Sequence, residues 1–324
     1  MIELHVHLDG SLRPETIWEL AMIRDGKAPA ADLEGLVTLM QAPVPCSSLS
    51  EYLSRFALPL KYLQTGAALE RVAFELTEDL AGEGVGYAEI RFAPQLSTER
   101  GLSQMEVTEA VAAGVKRGMA AYPGIKIGLL LCCMRGIDDS TYRANMETLK
   151  IAADCMEDGE KGRIVCGVDL AGAEEVYDTG LFRSLFEEAD RYGLKRTIHA
   201  GEAAGPDSMW KALEMGALRI GHGIAAIQDE SLIKELVTQK TALEVCVTSN
   251  VQTKGVRSLE EHPVKRLYDA GVHVTLNTDN RTVSGTTLLK EIDLVKNTFG
   301  FTDEDIKRME GYAAEAAFLD TVSG

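Results

Sequence analysis

The sequence predicts an α/β protein, a (β/α)8 TIM barrel with extra helices inserted after the first strand. Eight short apolar, β-branched runs recur at residues 2–8, 85–92, 125–134, 164–170, 196–199, 219–224, 242–248 and 273–277. A polar or glycine-containing turn and then a segment of helical period follow in a regular alternation. Most of the runs are apolar on both faces, as strands of a covered parallel sheet should be. Eight strand–helix units in 324 residues are the count for that barrel, and a doubly wound open sheet is the competing arrangement.

In chain order, the first strand is followed by a connection at residues 25–65 that is too long for a simple crossover and carries Pro29, Pro43, Pro45 and Pro59. Short extra helices lying over one end of the barrel are expected there. Leu69, Val72, Ala73, Leu76 and Leu80 then recur at helical spacing, and Gly82, Gly84 and Gly86 end that helix before the second strand. Ser103 and Glu106 form a capping-box pattern ahead of residues 107–121. Asp207 is the expected cap of a helix carrying Trp210 and Leu213, with Gly216 at its end. With no linker or low-complexity tract, residues 1–324 are expected to form a single domain.

Charge removes several function classes. With 33 Lys+Arg against 50 Asp+Glu, the net charge is −17, and no basic cluster could neutralise phosphates. Nucleic acid and anionic membrane are therefore not expected partners. No apolar run reaches the roughly 18 residues of a membrane span. The opening stretch holds Glu3, His5, His7 and Asp9 where a secretory signal would be basic and apolar. Six scattered cysteines give a core pattern more than a disulfide framework, so a cytoplasmic location is expected.

The strands end in chemically capable residues. The first reads His5-Val6-His7-Leu8-Asp9, and side chains two apart on a strand share a face, so both imidazoles can point into the barrel. The fifth ends His199-Ala200-Gly201-Glu202, the sixth carries His222, and the eighth ends Asn277-Thr278-Asp279-Asn280. These lie at strand C-terminal ends, the face on which barrel enzymes keep their chemistry. His262, next to Pro263, is read as structural. Three imidazoles and a carboxylate without thiolate suit one catalytic Zn2+ per chain. Neither the zinc signature of cytidine-type deaminases nor the His-Glu-x-x-His helix occurs.

Together these motifs resemble the adenosine deaminase family over nearly the whole length. The resemblance rests on Glu3-Leu4-His5-Val6-His7-Leu8-Asp9-Gly10, Cys132-Cys133-Met134-Arg135, Asp169-Leu170-Ala171-Gly172, His199-Ala200-Gly201-Glu202, His222-Gly223, Thr248-Ser249-Asn250-Val251-Gln252-Thr253 and Asn277-Thr278-Asp279, in family order. It implies hydrolytic deamination of adenosine, and of 2′-deoxyadenosine, to the inosine product and ammonia. It also implies His5, His7, His199 and Asp279 as zinc ligands, Glu202 as proton donor and His222 as its orienting partner. His7, Asp9, Gly172 and Asn280 would bind substrate, with Asp9 on the ribose hydroxyl and the Gly172 N–H on purine N3. Relatives acting on free adenine carry Glu at the Asp9 position, so Asp9 points to a nucleoside. Asn280 replaces the family's second Asp, and an amide donates to purine N7 in every protonation state. Leu49, Tyr52, Leu53 and Phe56 are candidates for an apolar lid.

Three other readings compete: a deaminase of another 6-aminopurine, free adenine or an adenosine conjugate; a two-metal amidohydrolase; and an inactive nucleoside-binding barrel. The fourth strand lacks the lysine that bridges two metals, and an inactive barrel would have lost a ligand or the acid. Oligomeric state is not legible in the sequence.

Overall fold

Among the described residues, eight short parallel strands lie side by side in chain order: β1 Ile2–His7, β2 Tyr87–Phe92, β3 Lys126–Met134, β4 Val165–Ala171, β5 Thr197–Ala200, β6 Arg219–His222, β7 Ala242–Val245 and β8 Val274–Leu276. The computed structural model describes residues 1–43, 46–157 and 164–320, so Pro45 lies outside the described residues. Strands β1 to β4 and β5 to β8 form two ladders. They join where Val168 N–H donates to Lys195 O, and where His7 N–H donates to Asp279 O and Asp279 N–H to His5 O. The sheet thus closes into a barrel, and the expected (β/α)8 architecture holds.

The long first connection forms helices Leu33–Met40, Leu49–Leu53 and Ala57–Tyr62, as expected. The capping box of Ser103 and Glu106 is present, and Leu69, Val72, Ala73, Leu76 and Leu80 are buried on helix Gly66–Gly82. Other expectations need correction. Gly205 caps helix Pro206–Glu214, with Pro206 opening it, so Asp207 lies inside the first turn and favours the helix dipole without capping it. The sixth strand stops at His222, whose φ of 63° breaks the extended run. The seventh stops at Val245, because helix Val247–Gln252 begins where the strand was expected to continue.

The larger correction concerns the inner face of the sheet. Val6, Ile90, Leu131, Val168, Ile198, Ile220, Leu243 and Val274 pack in the main apolar core. Glu89, Arg91, Asp169, Arg219 and Glu244, however, are fully buried charged groups on those same strands. Burying a charge without a partner is prohibitive, so these groups pair with each other. Arg219 donates to Glu89 and, at 2.6 Å, to Glu244. Glu89 also accepts from Tyr87 Oη and Phe318 N–H, each at 2.6 Å, where the chain beyond helix Asp303–Ala316 covers the lower end of the barrel. This ionic stack fills the barrel beneath the histidines. Among the described residues no helix is long and apolar enough to cross a membrane.

Candidate active site

The closure of β8 onto β1 assembles the first part of the site. Because the Asp279 backbone bonds to both His5 and His7, its carboxylate is carried to the two imidazoles that β1 turns inward. His199 arrives from the end of β5. One potential ligand atom from each of His5, His7, His199 and Asp279 lies within 4.8 Å of the others, and all four residues sit in the barrel mouth. Asp279 Oδ1 is 3.4 Å from the Nε2 atoms of both His5 and His7, and Ser249 Oγ donates to Oδ2 at 2.6 Å. Asp279 has a φ of 60° and His222 of 63°, a backbone region that costs non-glycine residues about 1–3 kcal/mol. Both strained residues belong to the site.

The ionic stack decides which way the imidazoles face. His5 Nδ1 donates to Glu244 at 2.8 Å and His199 Nδ1 to Asp169 at 3.1 Å. Arg91 holds both carboxylates, at 2.7 Å from Glu244 and 2.9 Å from Asp169. With the Nδ1 protons committed, the Nε2 atoms of His5 and His199 turn to the same point. Burial and Arg91 lower the His5 pKa, but the Asp279 and Glu244 carboxylates outweigh them and raise it, so a cation entering there would displace a proton from this ring. Burial lowers the His199 pKa, and that of His7 well below its ordinary value, which keeps both rings neutral. His7 Nε2 lies 3.3 Å from His199 Nε2, and His5 Nε2 is buried with no hydrogen-bond partner. Converging lone pairs beside a carboxylate repel one another unless a cation joins them, so this donor set fits a metal ion.

The second part of the site is Glu202 with His222. Burial, then the negative charges of Asp279 and Glu174, push the Glu202 pKa well above the carboxylate range. Its carboxyl lies 3.5 Å from His222 Nε2. A chain of hydrogen bonds sets the His222 tautomer. Val264 N–H donates to His262 Nδ1, so the neutral His262 ring donates from Nε2 to Asn250 Oδ1 at 3.2 Å. That fixes the Asn250 amide with Nδ2 donating to His222 Nδ1 at 3.0 Å, and the His222 proton is left on Nε2, facing Glu202. His262 is structural, as the sequence suggests, but its structural role reaches the site through Asn250. Replacing Asn250 by Asp removes the donor to Nδ1. We expect Asn250→Asp to lower kcat about 10- to 100-fold, the usual cost of removing such an orienting partner, with metal content unchanged. Steady-state kinetics and metal analysis of the variant check this.

His7, Asp9, Gly172, His199, Glu202, His222, Asp279 and Asn280 all line one pocket, while His5 lies beneath it. Asp9 Oδ1 and Asn280 Oδ1 are buried there without hydrogen-bond partners among the described residues. Burial, helped by the charge of Asp279, raises the Asp9 pKa to about 6. Asn280 owes its position to Gly10: a Cβ at residue 10 would lie 1.9 Å from Asn280 Oδ1. Gly172 adopts φ +110°, which a residue with a side chain rarely reaches. Leu49, Tyr52, Leu53 and Phe56 form the opposite wall with Leu60 and Leu96, and Tyr52 Oη is 2.7 Å from Ser284 Oγ. The sequence assigns no role to Arg91 or Glu174 and shows Asn250 only as part of the motif at residues 248–253. A signal existed for Arg91, which shares a strand face with Glu89 two residues away.

A family model for adenosine deaminase matches residues 1–323. An adenosine deaminase of Haemophilus ducreyi is 43% identical over 319 residues, which cover 98% of this chain and 92% of that protein. Among solved structures, the adenine deaminase of Arthrobacter aurescens superposes with a TM-score of 0.85 at 26% identity, covering 98% of this chain and 93% of the other. An Arabidopsis N6-mAMP deaminase gives 0.83 at 29% identity, with coverage of 98% and 93%.

Proposed function

The chain belongs to the adenosine deaminase family, and from that premise we propose that it hydrolyses adenosine, and 2′-deoxyadenosine, to inosine or 2′-deoxyinosine and ammonia. The observation that carries the reading is a buried carboxyl, Glu202, whose pKa burial pushes well above the carboxylate range, beside three histidines and an aspartate in one barrel mouth. His5, His7, His199 and Asp279 would hold a single Zn2+, since three neutral imidazoles and one carboxylate without thiolate are a zinc donor set. When bound, the metal supplies Lewis-acid activation of water near neutral pH.

The chain's own residues do the rest. Adenine is a poor electrophile at C6 until negative charge can move into the ring. Glu202 gives its proton to N1, so the electron pair arriving at C6 with water is accommodated in a neutral ring. The His222 Nε2–H and the Asp279 carboxylate orient the attacking water oxygen. A tetrahedral C6 forms, its hydroxyl proton passes to the exocyclic amine, the C–N bond breaks and ammonia leaves, while the other proton of the attacking water restores the Glu202 acid. Gly172 N–H and the Asn280 amide would bind N3 and N7, and Asp9 the ribose.

Asp9 carries the choice of nucleoside over free base, because its buried, unpartnered oxygen requires a donor. A hydrogen bond to a charged group contributes about 1.5–3 kcal/mol, so Asp9→Ala is expected to raise KM for adenosine roughly 10- to 100-fold. The kcat should change far less, as the ribose is remote from C6.

The described pocket lining contains no Lys or Arg, and the wall of Leu49, Tyr52, Leu53, Phe56, Leu60 and Leu96 is apolar apart from the Tyr52 hydroxyl. A phosphate buried there would be unpaired. AMP is therefore expected to react with kcat/KM on the order of 100-fold or more below adenosine, unlike what the name of the Arabidopsis N6-mAMP deaminase says of that protein. The buried thiols of Cys46, Cys132, Cys133, Cys166 and Cys246 suit a reducing, cytoplasmic compartment.

The test is the ultraviolet change on mixing metal-loaded protein with adenosine, adenine or AMP. Rapid conversion of adenosine with slow reaction of the other two is expected. Faster conversion of adenine or AMP than of adenosine would overturn the nucleoside reading.

A further inference from the structure

Beyond the charge it presents to Glu202, Glu174 has no part in the chemistry above, yet it is buried behind the pocket with both oxygens occupied. Its Oε1 accepts from Gly201 N–H at 2.7 Å and from the Ser208 hydroxyl. Its Oε2 accepts from the N–H groups of Glu202, Ala203 and Ala204 at 3.0, 2.8 and 3.1 Å. Consecutive backbone N–H groups turned toward one point form a concave anion site, and here the anion is a side chain of the same protein. Hydrogen bonds to a carboxylate are stronger than neutral ones, so five of them hold the loop firmly.

The ends of this clamp matter. Glu174 stands two residues past Gly172, on the turn assigned to purine N3. The loop it grips includes Glu202, the group assigned to N1. The grip is extended by Ser208, whose Oγ lies 2.6 Å from Thr179 Oγ1. Arg135 Nη2 then joins Thr179 Oγ1 at 3.0 Å to His199 O at 2.6 Å. The turn after β4 and the loop after β5 are thereby tied into one unit.

We propose that Glu174 is a positioning residue that fixes the spacing between the Gly172 N–H and the Glu202 carboxyl, and so the register of the purine edge against the acid. The inference rests on the adenosine-deaminase reading of the site. Proton transfer tolerates little misplacement, because an error near 1 Å can cost about 100-fold in rate. Ground-state binding, spread over the ribose and the apolar wall, tolerates more.

Glu174→Gln is the sharpest perturbation. Whichever way the amide turns, its NH2 faces either Gly201 N–H or the three N–H groups at 202–204, so donor meets donor. The expected result is a kcat for adenosine at least about 100-fold below wild type, with KM within about fivefold and metal content unchanged. Amides 201–204 should also lose their protection from hydrogen exchange. Glu174→Asp keeps the carboxylate and is expected to recover at least roughly tenfold of the lost kcat.

If Glu174→Gln does not fold, Ser208→Ala removes one donor to the clamp, and a three- to tenfold loss confined to kcat is expected, on the order of one hydrogen bond. A folded, metal-replete Glu174→Gln with kcat within threefold of wild type overturns the proposal. So does a loss that falls in KM alone, or an unchanged kcat in Ser208→Ala when that variant has to serve. Wild-type protein that leaves adenosine unreacted would instead overturn the reading beneath it, so the two failures are distinguishable.

Discussion

Glu202→Gln is expected to lower kcat for adenosine by about 10²- to 10⁴-fold, the range that a positioned general acid contributes. The amide matches the carboxyl in shape and still offers an N–H, so substrate should bind with little change in KM, but it has no proton to transfer. Metal content should equal that of wild type, because Glu202 is outside the ligand cluster. The pH dependence gives a second check. Burial and the charges of Asp279 and Glu174 raise the Glu202 pKa, and in the proposed mechanism the protonated form is the active one. Activity is therefore present below that raised value and is lost as pH rises through it. The residual rate of Glu202→Gln should lack this alkaline loss, which a kcat/KM profile across pH 6–10 would show.

Asp279→Ala should act on both metal and rate. Its carboxylate is one of the four converging donors, and it is held by Ser249 and by the strand closure that carries its backbone. Removing it takes away one ligand and the negative charge that balances the cation. Metal analysis after dialysis should find occupancy well below that of wild type. Excess metal should refill the site without restoring the rate, since the group that orients the water is gone. Lewis-acid activation is a matter of several kcal/mol, so turnover is expected to fall on the order of 10³-fold. Wild-type occupancy together with near-wild-type turnover in this variant would show that Asp279 is not a ligand.

The candidate site was legible in the sequence where residues of one chemistry stood two apart at the end of an apolar run. His5-Val6-His7 is such a case, since strand geometry alone puts both rings on one face. His199, His222 and Asp279 followed from the same strand-end logic. What supports them was hidden for a physical reason. Asp169 and Glu244 are single charges within strands that otherwise look apolar, Arg91 stands with Glu89 on a third, and a sequence does not show which distant strand supplies each partner. Arg91 reaches Glu244 across 153 positions of the chain. Glu174 was hidden differently, because four of its five partners are backbone N–H groups, which carry no sequence signature at all. Asn250 stood inside a recognised motif, but its role depends on the direction of hydrogen bonds that begin at a backbone amide of residue 264. Asp207 shows the opposite error, a residue suited to a cap whose place was taken by the Gly205-Pro206 start.

The measurement that tests the account most directly is a metal titration of stripped protein followed by adenosine conversion. Activity is predicted to be absent without metal, to rise linearly with added Zn2+, and to break at one metal per chain, with one ammonia released for each inosine formed. Full turnover by metal-free protein, a break at two metals per chain, or inert protein carrying one bound metal would contradict it.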